Sequence, residues 1–318
     1  MEVKAPTLWS VNNPYLYTAK VFISKSGEEK DALSIPFGIR TIKFSAQDGF
    51  KLNGASMKLR GGCVHHDNGL LGGVGVDAAD IRRVQLLKQQ GYNAVRCAHN
   101  LPTEAFLTAC DSIGMLVIDE VFDQWEESKR KDDYSNYFTR DHNKDMALMV
   151  RRDRNHPSII LWSIGNEVDY PNDPYSHPVL DGGNAAINQP MFGGYDPKRP
   201  HAERIGKIAK RLSAIVRSID TSRPVTGALA GVVMSNQTEY PDAVDVVGYN
   251  YTENRYDEDH KTYPKRVIYG SENGVGYDAW CAVRDKDFIF GQFIWTGTDY
   301  LGESGSWPSR GLNTGLLD

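Results

Sequence analysis

Two glutamates in this 318-residue chain stand at the ends of apolar runs. Glu167 closes Leu161-Trp162-Ser163-Ile164-Gly165-Asn166, and Glu272 closes Val267-Ile268-Tyr269-Gly270-Ser271 and leads into Asn273-Gly274. A lone glutamate after a strand is commonly a helix cap or half of a surface ion pair. Two of them, at the ends of strands facing each other across one mouth, can flank a single bond. Hydrolysis of a glycosidic bond is the reaction that needs two opposed carboxylates and no cofactor: one acid protonates the leaving oxygen while the other attacks or activates water. A carboxyl separation of about 5–5.5 Å corresponds to a retaining double displacement, and about 6.5–9.5 Å to an inverting one.

The elements that would position such a pair are legible as a repeat. From about Met57 onward, short apolar runs alternate with amphipathic helical patterns, which is how βα units build a parallel sheet. The expected strands are Met57–Gly61, Ala94–Cys97, Leu116–Glu120, Ile159–Ile164, Pro224–Leu229, Val244–Tyr249, Arg266–Ser271 and Gly291–Trp295. Eight is the number that closes a (β/α)8 barrel, whose chemistry sits at the C-terminal strand ends. Polar groups stand at nearly every one: His65, His66 and Asp67; Arg96 and His99; Glu120 and Asp123; Asn166 and Glu167; Asn250 and Tyr251; Glu272 and Asn273; Trp295 and Asp299. Among the helices, Ile205, Ile208, Ala209, Leu212, Ile215, Val216 and Ile219 keep i, i+3, i+4, i+7 spacing. The stretch after Gly248 and the Asp278–Asp287 connection are weaker. The segment between Leu16 and Ile42 differs, with two alternating stretches around a Ser26-Gly27-Glu28-Glu29-Lys30 turn that read as an antiparallel hairpin. A few strands cannot bury both faces of a sheet, so this reads as the tail of a larger β-domain.

Composition narrows the class further. Hydrophobic residues make up 40% and charged residues 24%, an ordinary globular profile that excludes disordered and fibrous chains. The 36 Lys and Arg against 41 Asp and Glu leave a net charge of −5 with no basic block, which argues against nucleic acid and anionic membranes as partners. No apolar run reaches the roughly 18 residues of a membrane span, and no signal-like segment opens the chain. Cys63, Cys97, Cys110 and Cys281 lack metal-type spacing and read as free core thiols, leaving the compartment open between a bacterial cytoplasm and periplasm.

Several motifs, in order, resemble glycoside hydrolase family 2. They are Leu8-Trp9-Ser10-Val11-Asn12-Asn13-Pro14-Tyr15-Leu16-Tyr17, Phe37-Gly38-Ile39-Arg40, Arg60-Gly61-Gly62-Cys63-Val64-His65-His66-Asp67 and Asn93-Ala94-Val95-Arg96-Cys97-Ala98-His99. Trp162-Ser163-Ile164-Gly165-Asn166-Glu167, Tyr269-Gly270-Ser271-Glu272-Asn273-Gly274 and Phe293-Ile294-Trp295-Thr296-Gly297-Thr298-Asp299-Tyr300 complete the pattern. The resemblance covers essentially the whole chain. It implies an α/β fold, a (β/α)8 TIM barrel over 45–318 preceded by a partial immunoglobulin-like β-sandwich over 1–44, with the barrel expected to stop near its eighth helix.

The same resemblance implies a retaining β-glycosidase in which Glu167 is the acid/base and Glu272 the nucleophile. Arg96 is the expected partner of the Glu272 carboxylate, since a fixed guanidinium orients it and lowers its pKa; the alternative is a structural ion pair. Asn166 resembles the amide that bonds the sugar 2-hydroxyl, and Tyr251 the tyrosine that donates to the nucleophile, with Tyr249 close enough to be confused with it. His65 and His99 match two strand-end histidines that contact sugar, Trp295 offers an apolar face to the ring, and Asp123 and Trp125 are candidates for sugar hydroxyls. Some family members place a Glu and a His after the third strand as magnesium ligands. Here that stretch, Asp119-Glu120-Val121-Phe122-Asp123-Gln124-Trp125-Glu126, lacks the His, so neither an essential metal nor a cofactor is expected.

Within the family the choices are β-galactosidase, β-glucuronidase and β-mannosidase. Glucuronidases carry an Asn-x-Lys pair after the eighth strand, and this chain has no Lys after Lys286. The wording from Trp295 to Trp307-Pro308-Ser309-Arg310 resembles bacterial β-galactosidases, so the expected substrate is a terminal, non-reducing β-D-galactoside of an oligosaccharide or glycoconjugate. The rivals are an inactive carbohydrate-binding barrel, which should lack one carboxylate, and a metal-dependent hydrolase. A homo-oligomer formed through domains outside this chain is compatible with the pattern.

Overall fold

The computed structural model describes residues 2–182, 194–303, 305–306, 308–309 and 315–317. β1 (Tyr17–Lys25) and β2 (Glu28–Phe37) form the expected antiparallel hairpin. Both turn residues, Ser26 and Gly27, have positive φ, 55° and 82°, as in the primed turns whose twist suits a two-residue hairpin. Val21 pairs with Leu33, yet both remain exposed along with Phe22 and Ile23.

The next element differs from expectation. β3 (Ile42–Ser45), β4 (Gly49–Leu52) and β5 (Ala55–Met57) make a separate three-stranded antiparallel sheet. Met57 therefore ends β5 opposite Phe50, and the first barrel strand begins at Leu59. Phe44 and Phe50 meet Phe290 at ring-centroid distances of 5.2 and 6.3 Å, so this sheet closes the N-terminal end of the barrel. Trp9 is fully buried in the same cluster, and its indole N–H donates to the Asp111 carbonyl at 2.8 Å.

The barrel itself is closed and parallel. Its strands are β6 (Leu59–His65), β7 (Ala94–Ala98), β8 (Leu116–Glu120), β9 (Ile159–Asn166), β10 (Val225–Leu229), β11 (Val246–Asn250), β12 (Val267–Asn273) and β13 (Ile289–Ile294), with β13 pairing back onto β6. All eight expected strands are present, and both faces of most are buried, which is why they read as continuous apolar runs rather than alternating ones. β9 and β12 run further toward the mouth than expected and end on Asn166 and Asn273.

Around them lie α1 (Asp77–Gln89), α2 (Glu104–Ile113), α3 (Ser135–Asp153), α4 (Glu203–Ile219), the short α5 (Val232–Ser235) and α6 (Tyr240–Ala243), α7 (Tyr256–Thr262) and α8 (Tyr277–Arg284). α4 buries Ile205, Ile208, Ala209, Leu212 and Val216, the stripe its spacing predicts. α2 is capped at both ends. Thr103 Oγ1 accepts from Phe106 N, and Gly114 (φ 81°) turns the chain into β8 where an added Cβ would lie 2.5 Å from the Val11 carbonyl. All four cysteines are free, and Cys63, Cys97 and Cys110 are buried.

Candidate active site

The C-terminal ends of the strands surround a cleft of about 510 Å³. Glu167 stands just past β9 in left-handed backbone (φ 46°), its N–H donating to the Ala228 carbonyl of β10 at 2.8 Å. That conformation is uncommon for a residue with a side chain and is held by its neighbours. Glu272 lies within β12, beside Asn250 of β11 in register. The amide nitrogen of Asn250 lies 3.0 Å from Glu167 Oε1 and 3.3 Å from Glu272 Oε2. These two oxygens therefore cannot be further apart than the sum of those bonds, 6.3 Å.

Glu272 is held at both oxygens. Oε2 accepts from Arg96 Nη1 at 3.0 Å, and Oε1 from the Tyr251 hydroxyl at 2.8 Å. Burial and the adjacent Glu272 raise the Tyr251 phenol far above its ordinary value, so it stays a donor. Tyr249 is instead fully buried and donates to Asp259 at 2.7 Å, which separates two tyrosines that sequence left easy to confuse. Arg96 is fully buried and grips a second carboxylate: Nη2 lies 2.9 and 2.8 Å from the two oxygens of Glu120. Burial acts to raise the Glu120 carboxyl, but Arg96, His99 and the Ser163 hydroxyl outweigh it and hold it below the usual range. Glu120 thereby supplies a counter-charge for Arg96, so the guanidinium is not carried by Glu272 alone.

The other expected residues gather here as well. His99 Nδ1 lies 2.8 Å from Glu120 Oε1, and its Nε2 lies 3.3 Å from Asn166 Nδ2. Asn166 Oδ1 accepts from Arg96 Nη2 at 2.8 Å, and its amide nitrogen donates to Asp123 Oδ1 at 3.0 Å. The Trp295 and His99 rings stack at 5.3 Å and 4°, while His65 stacks on Tyr300 at 4.2 Å and meets Trp295 edge-on at 5.2 Å. The peptide bonds preceding His99 and following Trp295 are cis.

The carboxylates differ in protonation. Burial, then the charge of Glu272, pushes Glu167 up to about 8, against the pull of Asn250 and Lys129. Burial works upward on Asp123 too, but His99, Lys129 and the Asn166 amide bring it to about 2. Burial, then the neighbouring His99, lowers His65 to about 3, so it is a neutral imidazole at neutral pH.

One expectation fails. Trp125 is only 1% exposed and donates to the Ile164 carbonyl at 2.8 Å, with its ring against Tyr240. It packs behind the strand and does not face the cleft, whereas Asp123, two residues earlier, does. Conversely, Glu120 and Asn250 stood among the strand-end polar groups without a role, and Tyr300 closed a quoted motif. Lys129 carried no signal, lying in a loop without periodicity. Trp307 and Arg310, part of the substrate-related wording, lie outside the described residues.

A closed eight-stranded parallel barrel with paired carboxylates and aromatic walls at its mouth defines a class, the glycoside-hydrolase barrels. The model of the TIM barrel domain of glycosyl hydrolases family 2 matches residues 45–267, and a second model of glycosyl hydrolases family 2 matches residues 1–40. This chain belongs to glycosyl hydrolase family 2. Beta-galactosidase BoGH2A of Bacteroides ovatus is 33% identical over 100% of this chain and 43% of its own length. A Formosa agariphila protein provisionally named a beta-glucuronidase is 31% identical over 96% of this chain and 31% of its own length. The chain thus spans less than half of either relative. Among solved structures, a family 2 member from Bacteroides cellulosilyticus superposes with a TM-score of 0.81 at 43% identity, covering 94% of this chain and 35% of that one.

Proposed function

We propose that this chain is the catalytic part of a retaining β-glycosidase that removes terminal, non-reducing β-D-galactose. The observation that carries the reading is the Asn250 amide nitrogen, 3.0 Å from Glu167 Oε1 and 3.3 Å from Glu272 Oε2, which draws the two carboxylates to one point of the cleft mouth where they can flank a single bond; the retaining course is the one general to family 2. Glu272 is the nucleophile. Arg96 and Tyr251 hold its two oxygens, and its attack on the anomeric carbon displaces the glycosidic oxygen to form a glycosyl ester. Glu167, protonated at neutral pH, gives its proton to that departing oxygen, then takes one from the water that cleaves the ester.

Asn166 binds the 2-hydroxyl, a contact that strengthens as the ring flattens. His65, His99, Trp295 and Asp123 form the remaining sugar contacts. The mechanism uses no metal or cofactor, and residues 1–44 are read as the end of an immunoglobulin-like sandwich preceding the barrel of 45–318. That division cuts β3, whose pairing to β4 supports placing the whole sheet with the barrel.

The choice of galactose rests on the motif wording, on the absence of a lysine after Lys286 and on BoGH2A; the Formosa relative keeps glucuronide as the competing substrate. The test is parallel hydrolysis of nitrophenyl β-galactoside, β-glucuronide and β-mannoside by the whole protein. The reading predicts the highest kcat/KM on the galactoside, and preference for either of the others overturns it.

A further inference from the structure

Among the described residues, Lys129 is the cleft cation that bonds directly to the peptide entering Glu167. Its ammonium donates to the Asn166 carbonyl at 2.8 Å and to Asp123 Oδ1 at 2.9 Å, and its side chain is only 16% exposed. The Asn166 carbonyl belongs to the peptide bond that enters Glu167, the residue in left-handed backbone. Asp123 Oδ1 is also the acceptor for the Asn166 side-chain amide, so a single cation–carboxylate pair fixes Asn166 through both its main chain and its side chain.

The loop bearing Lys129 is itself anchored. Asp133 Oδ2 accepts from the N–H groups of Lys129 and Arg130, each at 2.8 Å, and Asp133 Oδ1 accepts from Ser135 N at 3.0 Å at the start of α3. The rigid helix is thereby connected through Asp133 and Lys129 to the peptide of Glu167.

We infer that Lys129 is a positioning residue of the glycosidase reaction: by bridging Asp123 and the Asn166 carbonyl it fixes the aim of the Glu167 carboxyl and sets a positive charge beside it. This rests on the proposed role of Glu167 as acid/base. The charges that act on Glu167 are Glu272 of β12, Asp169 after β9 and Lys129 after β8, and the same cleft is lined by His65 at the β6 end, His99 after β7, Asp123 and Arg130 after β8, Tyr170 and Asp173 after β9, Tyr251 after β11, and Tyr300 and Glu303 after β13. β10 contributes no titratable side chain. Arg96 is engaged by Glu120 and Glu272, whereas Lys129 acts on Glu167 to favour its ionised form.

The test compares Lys129→Met, Lys129→Gln and Lys129→Arg in the whole protein, on an alkyl β-galactoside and on a dinitrophenyl β-galactoside whose leaving group needs no proton. Met and Gln should lower kcat/KM, which reports formation of the glycosyl ester, roughly tenfold to a hundredfold on the alkyl substrate and by less than about threefold on the activated one. Their alkaline limb of kcat/KM should move to higher pH, because removing the cation lets Glu167 keep its proton longer. Arg should restore both. Equal losses on the two substrates with an unmoved alkaline limb, or wild-type kinetics in Met and Gln, would overturn the proposal. Using two neutral variants guards against one that fails to fold. If the wild-type protein hydrolyses none of the aryl β-glycosides, it is the parent reading that has failed; if it does hydrolyse them and the variants match it, only the role of Lys129 has.

Discussion

Glu167 holds its proton up to about pH 8 because burial and the neighbouring Glu272 both disfavour its charge, and that direction has consequences for rate and for stability. In its proposed role as general acid Glu167 must enter the reaction protonated, so kcat/KM should decline above roughly pH 8, and Glu167→Gln should abolish that limb along with most activity on poor leaving groups. For stability, the folded value lies above the ordinary 4.5, so between about pH 4.5 and 8 the unfolded chain binds fewer protons than the folded one. Stability due to this group therefore falls as pH rises through that window. Glu167→Gln should gain on the wild type by at most about 1.4 kcal/mol per pH unit across it, read from melting temperature against pH. A second residue-level expectation separates the two carboxylates. Glu167→Ala should cost about 10²–10⁴-fold on alkyl galactosides and far less on activated aryl ones, whereas Glu272→Gln should reduce both to background with the melting temperature near wild type.

At the scale of elements, the close packing of β9 against the chain behind it sets the aim of Asn166 and Glu167. A Cβ on Gly165 would lie 2.7 Å from the Trp125 indole nitrogen, a buried ring hydrogen-bonded to the Ile164 carbonyl. Gly165→Ala should therefore displace the strand end and lower kcat about 10–100-fold while the protein remains folded, checked by kinetics beside circular dichroism. This contact also shows where sequence reading reaches its limit. The eight strands were legible because a buried parallel sheet has a plain signature, and the gathering of Glu167, Glu272, Arg96, Asn166 and Tyr251 at one mouth was legible through their motifs. The inward or outward direction of Trp125 was not, because it lies after β8 in a segment with no period to fix its facing. Asn250 was visible only as a strand-end polar group and Lys129 not at all, for a related reason: which atoms a side chain bridges is a property of three dimensions. The β3–β5 sheet was missed because Ala55–Met57 abuts the first barrel strand with one residue between them.

Across the whole molecule, the cleft and the closed base lie at opposite ends of the barrel. Trp9, fully buried among Phe50, Leu59 and Phe290 of the base cluster, belongs to the stability of the fold and not to its chemistry. Trp9→Ala should cost about 3–5 kcal/mol, measured by denaturant unfolding, while KM at a temperature where the variant is folded stays close to wild type. Such a separation is characteristic of barrels, in which the two faces divide stability from catalysis. The proposed chemistry lies at the other face, where Glu272 attacks the sugar carbon. Trapping tests it most directly: the whole protein is incubated with an activated 2-deoxy-2-fluoro-β-galactoside, digested, and its peptides weighed. One fluoroglycosyl group is expected on the peptide containing Glu272. A label on Glu167, or turnover that yields the inverted anomer with no labelled peptide, would contradict it.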